Sequence, residues 1–252
     1  MAEPSVLFYD SREHKQVRQF ADVFVLNAVA DTTELLAKLT ADGDRLRKNG
    51  FYLYYCDDRL TLCKGEDTRG VWVALNDIKR RLQGEFSLAR ACGNKSGSAL
   101  DILDATAGLG IDALALQARG NRLTLTEREP LLWALLSDLL RRAGTPDVTL
   151  HHVDAKTILA QQAPFDVVYV DPMFPQRRKT ALPNKRMQYL GELLHEPVAE
   201  NLADFIEQAR GVARNRVVLK RRLRDPEVLV PDWQIRGKTI RYDVFRGSRS
   251  TA

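Results

Sequence analysis

The stretch YVDPMFPQRRKTALPNKR, residues 169–186, ends an apolar run with an acid, a proline, an aromatic ring and a second proline. A set of bases follows: Arg177, Arg178, Lys179, Lys185 and Arg186. Prolines end strands anywhere, so a plain terminator is one reading. The other reading is chemical. An exocyclic amine on a planar base is a poor nucleophile because its lone pair is delocalised into the ring. A carboxylate such as Asp171, accepting the N–H bonds, would localise that lone pair, and Pro172 would keep the acceptor aimed. Phe174 offers a flat face for the base, and stacking of this kind is worth roughly 1–3 kcal/mol.

Upstream, LDATAGLGIDAL (103–114) joins a strand to a helix. Asp104 ends the strand, and Gly108 and Gly110 allow a tight turn that approaches a ligand without a Cβ in the way. The helix that follows presents free N–H groups, so the loop reads as a nucleotide site. Gly108 to Ala113 also fits the dinucleotide fingerprint, which keeps an NAD(P)-dependent oxidoreductase open as an alternative. The acid in D-x-x-x-G-x-G is foreign to that fingerprint and suits the cationic amino-acid end of S-adenosylmethionine, directly or through water. Glu127 closes the next strand, where a carboxylate accepts both hydroxyls of a ribose. Asp154 closes the strand after it and suits either an adenine amino group or the N-cap of the next helix. The neighbouring His151 and His152 point to opposite faces of a strand, so no metal is expected.

The chain has 252 residues, a formal net charge of +5 and a sequence pI of about 9.1, which mildly favours an acidic partner. The placement of charge says more. No acid interrupts the bases between Pro172 and Gly191, nor the run from Gln208 to Arg224 that holds Arg214, Arg216, Lys220, Arg221, Arg222 and Arg224. Either run taken alone is usually a solvated face. Two of them beside strand ends suggest phosphate contacts. Lys220 could approach a base or phosphate, or be an ordinary strand-end charge. The three cysteines form no CxxC pair, which suggests a reduced compartment. With no signal-peptide pattern and no apolar run of spanning length, a cytoplasmic protein without a membrane partner is expected.

These residues must be positioned by a sheet. VFVLN (23–27), FYLYYC (51–56), RLTLC (59–63) and VWVAL (71–75) read as strands, with a hairpin turn at Cys56–Arg59. Apolar spacing predicts a helix from Leu75 to Cys92. The reading divides the chain into a small N-terminal β-rich domain (1–92) for RNA docking, a linker (93–98) and a main domain (99–252). From residue 99 onward, strands and helices alternate: 99–105, 122–127, 148–153, 165–170 and 216–221 are strands, and QIRGKTIRYDVFR (234–246) is a closing hairpin turned at Gly237. The expected class is α/β, with a parallel sheet covered on both faces.

Asp171-Pro172-Met173-Phe174 is similar to the [DNS]-P-P-[FYW] tetrapeptide of amino-methyltransferases that use S-adenosylmethionine, with Met173 in place of the second proline. The longer combination of DATAGLG, Glu127-Arg128, YVDPMFPQRRKTAL and RVVLKR resembles the ribosomal RNA small subunit methyltransferase J family, from about Phe86 to the final hairpin. The resemblance implies a Rossmann-like class I SAM-dependent methyltransferase fold with a seven-stranded sheet. It implies methylation of a guanine N2 amine in 16S rRNA, presented as RNA or as the small ribosomal subunit. It carries cofactor contacts onto Ile111, Asp112, Glu127, Arg128, Asp154, Ala155 and Asp171. At Ile111, where the family usually has arginine, a backbone contact is what remains. A non-catalytic RNA-binding module with the same fold is the further alternative.

Overall fold

The computed structural model describes residues 5–42, 50–83, 87–94, 99–172, 184–194 and 202–248. Its strands are β1 (Ser5–Asp10), β2 (Phe24–Val29), β3 (Phe51–Cys56), β4 (Arg59–Lys64), β5 (Asp67–Val71), β6 (Asp101–Asp104), β7 (Arg122–Thr126), β8 (Val148–His151), β9 (Phe165–Val170), β10 (Ala213–Arg222), β11 (Trp233–Arg236) and β12 (Ile240–Arg246). Its helices are α1 (His14–Val17), α2 (Thr32–Asp42), α3 (Leu75–Gln83), α4 (Ser87–Cys92), α5 (Ile111–Gln117), α6 (Pro130–Ala143), α7 (Ala155–Ala160), α8 (Lys185–Leu193) and α9 (Leu202–Val212).

Contacts divide the chain into two units that interleave in sequence. The first comprises Met1–Val73, Glu129–Ala143 and Gln176–His195, and the second Ala74–Arg128, Gly144–Pro175 and Glu196–Ala252. The sequence reading draws one line at 93–98. The contacts instead group α3 and α4 with the second unit, and α6 and α8 with the first.

The first unit is built on a five-stranded sheet in the order β2-β1-β3-β4-β5. β1 runs parallel to β2 and β3, and β3, β4 and β5 form antiparallel hairpins. At the β3–β4 turn, Asp57 and Asp58 have φ of 53° and 56°. Two successive left-handed residues are what a two-residue I′ hairpin turn requires, and short acidic side chains tolerate that region. Tyr55 Oη donates to Asp58 Oδ1 at 2.9 Å and braces the turn. One sheet face buries Phe8, Val29 and Tyr52 with Leu35 and Leu39 of α2.

Helix α6 is tied to this unit by Asp138, whose side chain is 1% exposed. Its carboxylate accepts from the Leu60 backbone N–H at 3.0 Å, from Arg141 at 3.1 Å and from Arg142 at 2.7 Å. Trp133 packs edge-on against Phe20 at 5.8 Å between centroids. In α8, Tyr189 Oη donates to Asp67 Oδ2 at 2.6 Å, and its ring meets Phe51 edge-on at 5.3 Å.

Three differences from the sequence reading fall in or next to this unit. β1 and α2 were not anticipated. The strand expected over VWVAL is displaced: β5 is Asp67–Val71 and α3 already begins at Leu75. The hairpin register explains the shift. Val71 pairs with Leu62 and Asp67 with Lys64, and a Cβ at Gly70 would lie 2.2 Å from the Leu62 carbonyl oxygen. The close strand approach at Gly70 therefore fixes β5 upstream of the apolar run. The single helix expected from Leu75 to Cys92 is described as α3 and α4, with residues 84–86 outside the described set.

The second unit has a seven-stranded sheet in the order β11-β12-β10-β9-β6-β7-β8. The run from β10 to β8 is parallel, and β12 and β11 close it antiparallel. The closing hairpin turns where Gly237 N–H donates to the Ile240 carbonyl at 2.8 Å, at the glycine that the sequence marks. This is the expected Rossmann-like α/β class. One face packs Leu103, Val168, Val170, Val217 and Leu219 against Ile158, Ile206 and Ala209. Alternation along β9 therefore sends Tyr169 and Asp171 to the opposite face.

Asp138→Ala leaves the Leu60 N–H and two guanidinium groups without their shared acceptor. The expected cost is roughly 3 kcal/mol of unfolding free energy, the range for breaking a buried ion pair from one side. Urea denaturation of the full chain measures it, with Asp138→Asn, which keeps one acceptor oxygen for Leu60, losing less.

Candidate active site

The parallel strands β6, β7 and β9 deliver their carboxyl ends to one edge of the second unit's sheet, where ligands of open α/β sheets bind. Asp104 ends β6, Glu127 follows β7 and Asp171 follows β9. Backbone bonds continue the pairing past the strands: Ala105 N–H to the Tyr169 carbonyl at 2.9 Å, and Ala107 N–H to the Thr126 carbonyl at 3.1 Å. Thr106 links the ends of β6 and β9. Its N–H donates to Asp104 Oδ1 at 3.1 Å, and its hydroxyl oxygen accepts from the Asp171 N–H at 2.7 Å.

The glycine loop then reverses. Gly108 and Gly110 have φ of 53° and 72°, and Gly110 is the residue from which α5 starts at Ile111. The Gly108 N–H donates to Glu127 Oε2 at 2.9 Å, so the loop and the end of β7 are one assembly. Asp154 is the N-cap of α7, accepting from the Lys156 N–H at 2.9 Å, and Arg128 lies 3.6 Å from its other oxygen. Of the two roles open for Asp154, the capping role is thus present. Ala155, the first helical residue, is buried.

A charged cluster lies on the Tyr169 side of the sheet. Lys220 Nζ donates to Asp112 Oδ2 and to Asp171 Oδ2, both at 2.7 Å. Arg81 Nε donates to Asp112 Oδ1 at 2.8 Å, and Tyr169 Oη to Asp112 Oδ2 at 2.8 Å. Arg81 also donates to Tyr242 Oη at 3.1 Å. Strand register explains the gathering. Leu219 pairs with Val170, which sets Lys220 beside Asp171, and Lys220 pairs in turn with Tyr242.

The carboxyls of this edge differ because their partners differ. Burial pushes Asp104 up to about 8, against a single backbone bond from Thr106. Burial opposes ionisation of Asp112 too, but Lys220 and Arg81 outweigh it and hold this carboxyl below the usual range. Burial raises Asp171, and Lys220 works against that rise. Two cations thus serve two carboxyl groups, and Asp112 receives both.

The structure brings together Asp104, Gly108, Gly110, Ile111, Asp112, Glu127 and Asp171, and Pro172 is buried. The basic residues fare differently. Lys220 is committed to the two aspartates, and Arg221 is 6% exposed and donates to the Pro226 carbonyl at 2.9 Å. Lys185 belongs to the first unit, paired with Asp67, and Arg186 follows it in α8. Met173, Phe174, Arg177, Arg178 and Lys179 lie outside the described residues. Thr106, Arg81, Tyr169 and Tyr242 were missed by the sequence reading. Strand parity in FDVVYV and IRYDVF was the signal that could have found the two tyrosines.

Asp104 carries a pH signature. In the fold it holds its proton up to about pH 8, whereas an ordinary aspartate ionises near 3.8. The folded state binds the extra proton between those values, so its contribution to stability falls as pH rises through that window. Asp104→Asn removes the titration. The expected outcome is a flatter decline of urea midpoint between about pH 5 and pH 8 than in the unsubstituted protein.

The chain matches the family described as "Putative SAM-dependent methyltransferase" over residues 39–247. It is 42% identical over 174 residues to the ribosomal RNA small subunit methyltransferase J of Alkalilimnicola ehrlichii, covering 64% of this chain and 66% of that protein. The like-named protein of Dechloromonas aromatica is 40% identical over 181 residues, covering 66% of this chain and 73% of that one. The aligned part thus spans about two thirds of the length of these relatives. The crystal structure of a SAM-dependent methyltransferase from Neisseria gonorrhoeae superposes with a TM-score of 0.73 at 25% identity, over 98% of both chains. The match replaces the dinucleotide reading of the glycine loop. The chain belongs to the SAM-dependent methyltransferases, in the ribosomal RNA small subunit methyltransferase J family, with S-adenosylmethionine as its cofactor.

Proposed function

We propose that the protein methylates the exocyclic N2 amine of a guanine in 16S ribosomal RNA. The observation that carries this reading is the Asp171 carboxylate. It stands on the edge shared with the glycine loop and Glu127, is held through Oδ2 by Lys220, and keeps 35% of its side chain exposed to meet a substrate. The names of the relatives support the choice of RNA.

The residues fit the cofactor. A Cβ at Gly108 would meet nothing closer than the Thr106 carbonyl oxygen at 3.8 Å, so the loop leaves the approach open. Glu127 would hold the ribose, and Asp154 and Ala155 the adenine edge with Arg128 beside them. Asp104, Gly110, Ile111 and Asp112 would line the amino-acid end. When bound, the cofactor supplies a methyl group on a sulfonium, already a strong donor.

The chain's own residues supply positioning. Asp171 accepts an N–H of the amine, concentrates its lone pair on nitrogen and takes the proton that the alkylated nitrogen must lose. Pro172 stiffens that acceptor, and Phe174 stacks the base once it has left its helix. Arg177, Arg178, Lys179, Lys185 and Arg186 neutralise phosphates, and the first unit docks structured RNA. In this reading the catalytic chain is cytoplasmic; among the described residues no helix is long and apolar enough to cross a membrane.

Incubation of unmethylated small-subunit RNA, or subunits, with labelled S-adenosylmethionine should place one methyl group on a guanine N2, mapped by mass spectrometry. Asp171→Asn should lower kcat on the order of 100-fold, as expected for loss of a general base. Transfer by this variant at the unsubstituted rate would sink the mechanism.

A further inference from the structure

We propose that Lys220 is a positioning residue for methyl transfer: its ammonium fixes Asp171 through Oδ2, presents Oδ1 to the amine, and ties this carboxylate to Asp112. The inference rests on the amine-methylation reading above and assigns Lys220 a task inside the site, in place of contact with RNA.

The geometry is specific. An ammonium has three donors, and two of those on Lys220 are spent on carboxylate oxygens at 2.7 Å. Its side chain is 21% exposed, less than the 35% of the Asp171 that it holds. The carboxylate therefore meets the substrate, and the lysine stands behind it. Asp112, at 13%, is deeper still and lies in the first turn of the helix that the glycine loop opens. One side chain on β10 thus spans the loop side and the amine side of the site.

The charges around Asp171 come from every neighbouring element. Lys220 faces it from β10, Asp112 from α5, Arg81 from α3, Asp104 from the end of β6 and Tyr169 from its own strand, while Tyr242 of β12 joins through Arg81. The Arg81 side chain is bonded to Asp112 and Tyr242. Among the described residues, the cation bonded to Asp171 is Lys220. Asp112 keeps Arg81 if Lys220 is lost, whereas Asp171 keeps only distant help in a buried setting that already favours its neutral form. A protonated Asp171 neither accepts the N–H well nor takes the proton.

Asp171 should therefore respond in opposite senses to loss of the Lys220 cation and loss of the Asp112 charge. Lys220→Met removes a cation, so Asp171 ionises at higher pH and the acid limb of kcat moves up. On the acid side of the limb, activity at a fixed pH falls about tenfold for each unit of that movement and returns as pH is raised. Lys220→Arg keeps the cation and restores the limb toward its original position. Asp112→Asn removes a like charge, and the limb moves down.

The test measures kcat against pH with labelled cofactor and small-subunit RNA. In parallel, carboxyl-13C aspartate NMR titrates Asp171 directly, with its resonance assigned through Asp171→Asn. The titration needs no substrate, so it separates failure of this inference from failure of the proposed reaction. Opposite shifts of the Asp171 titration in Lys220→Met and Asp112→Asn support the assignment. Should Lys220→Met not fold, the downward shift in Asp112→Asn and the near-normal titration in Lys220→Arg carry the test. An Asp171 titration unmoved by either neutralising substitution, or an activity loss in folded Lys220→Met that is equal at all pH values, overturns it.

Discussion

A lysine ammonium held between two carboxylates is the constraint on which the catalytic edge depends. Coulomb attraction at 2.7 Å is strong, yet removing three charges from water costs much of what it returns. Such a cluster contributes little to bare stability compared with a well-packed apolar equivalent. What it does is fix geometry. Asp171 has a carboxyl group that would otherwise rotate or take a proton, whereas Asp112 is held by Arg81 as well. Thr106 performs the uncharged half of the same task by binding both the end of β6 and the first residue beyond β9.

The ionisation pattern follows from unequal sharing. Asp104 has no cation bonded to it among the described residues and keeps its proton; Asp112 has two cations and keeps none. Asp171 is served by one shared ammonium, which works against the rise that burial imposes.

Much of this was legible in the sequence, for identifiable reasons. The glycine loop, Glu127 and the DP pair after β9 are local signals, each readable in a dozen residues, and the alternating rhythm after residue 99 specified the sheet. What was illegible depended on partners far along the chain. Lys220 and Arg221 read alike as neighbouring bases in an acid-free run. Only register reveals that one meets Asp112 and Asp171 while the other turns to the Pro226 carbonyl. Arg81 lay 31 residues from its carboxylate, with nothing local to mark it. Near the N-terminus, VWVAL misled because its apolar run is stronger than the hairpin that ends in Val71.

The interleaving of the two units has a consequence for how the protein is made. Leu60 finds its acceptor 78 residues later at Asp138, and Lys64 its carboxylate 128 residues later at Glu192. A nascent chain that has released only its first five strands still lacks α6 and α8, so the N-terminal unit cannot be completed in the order in which it is synthesised. Loop-closure entropy must be met before those distant contacts form, which slows folding and prolongs the exposure of apolar strands. The unit translated first is therefore finished only after much of the methyltransferase sheet has emerged.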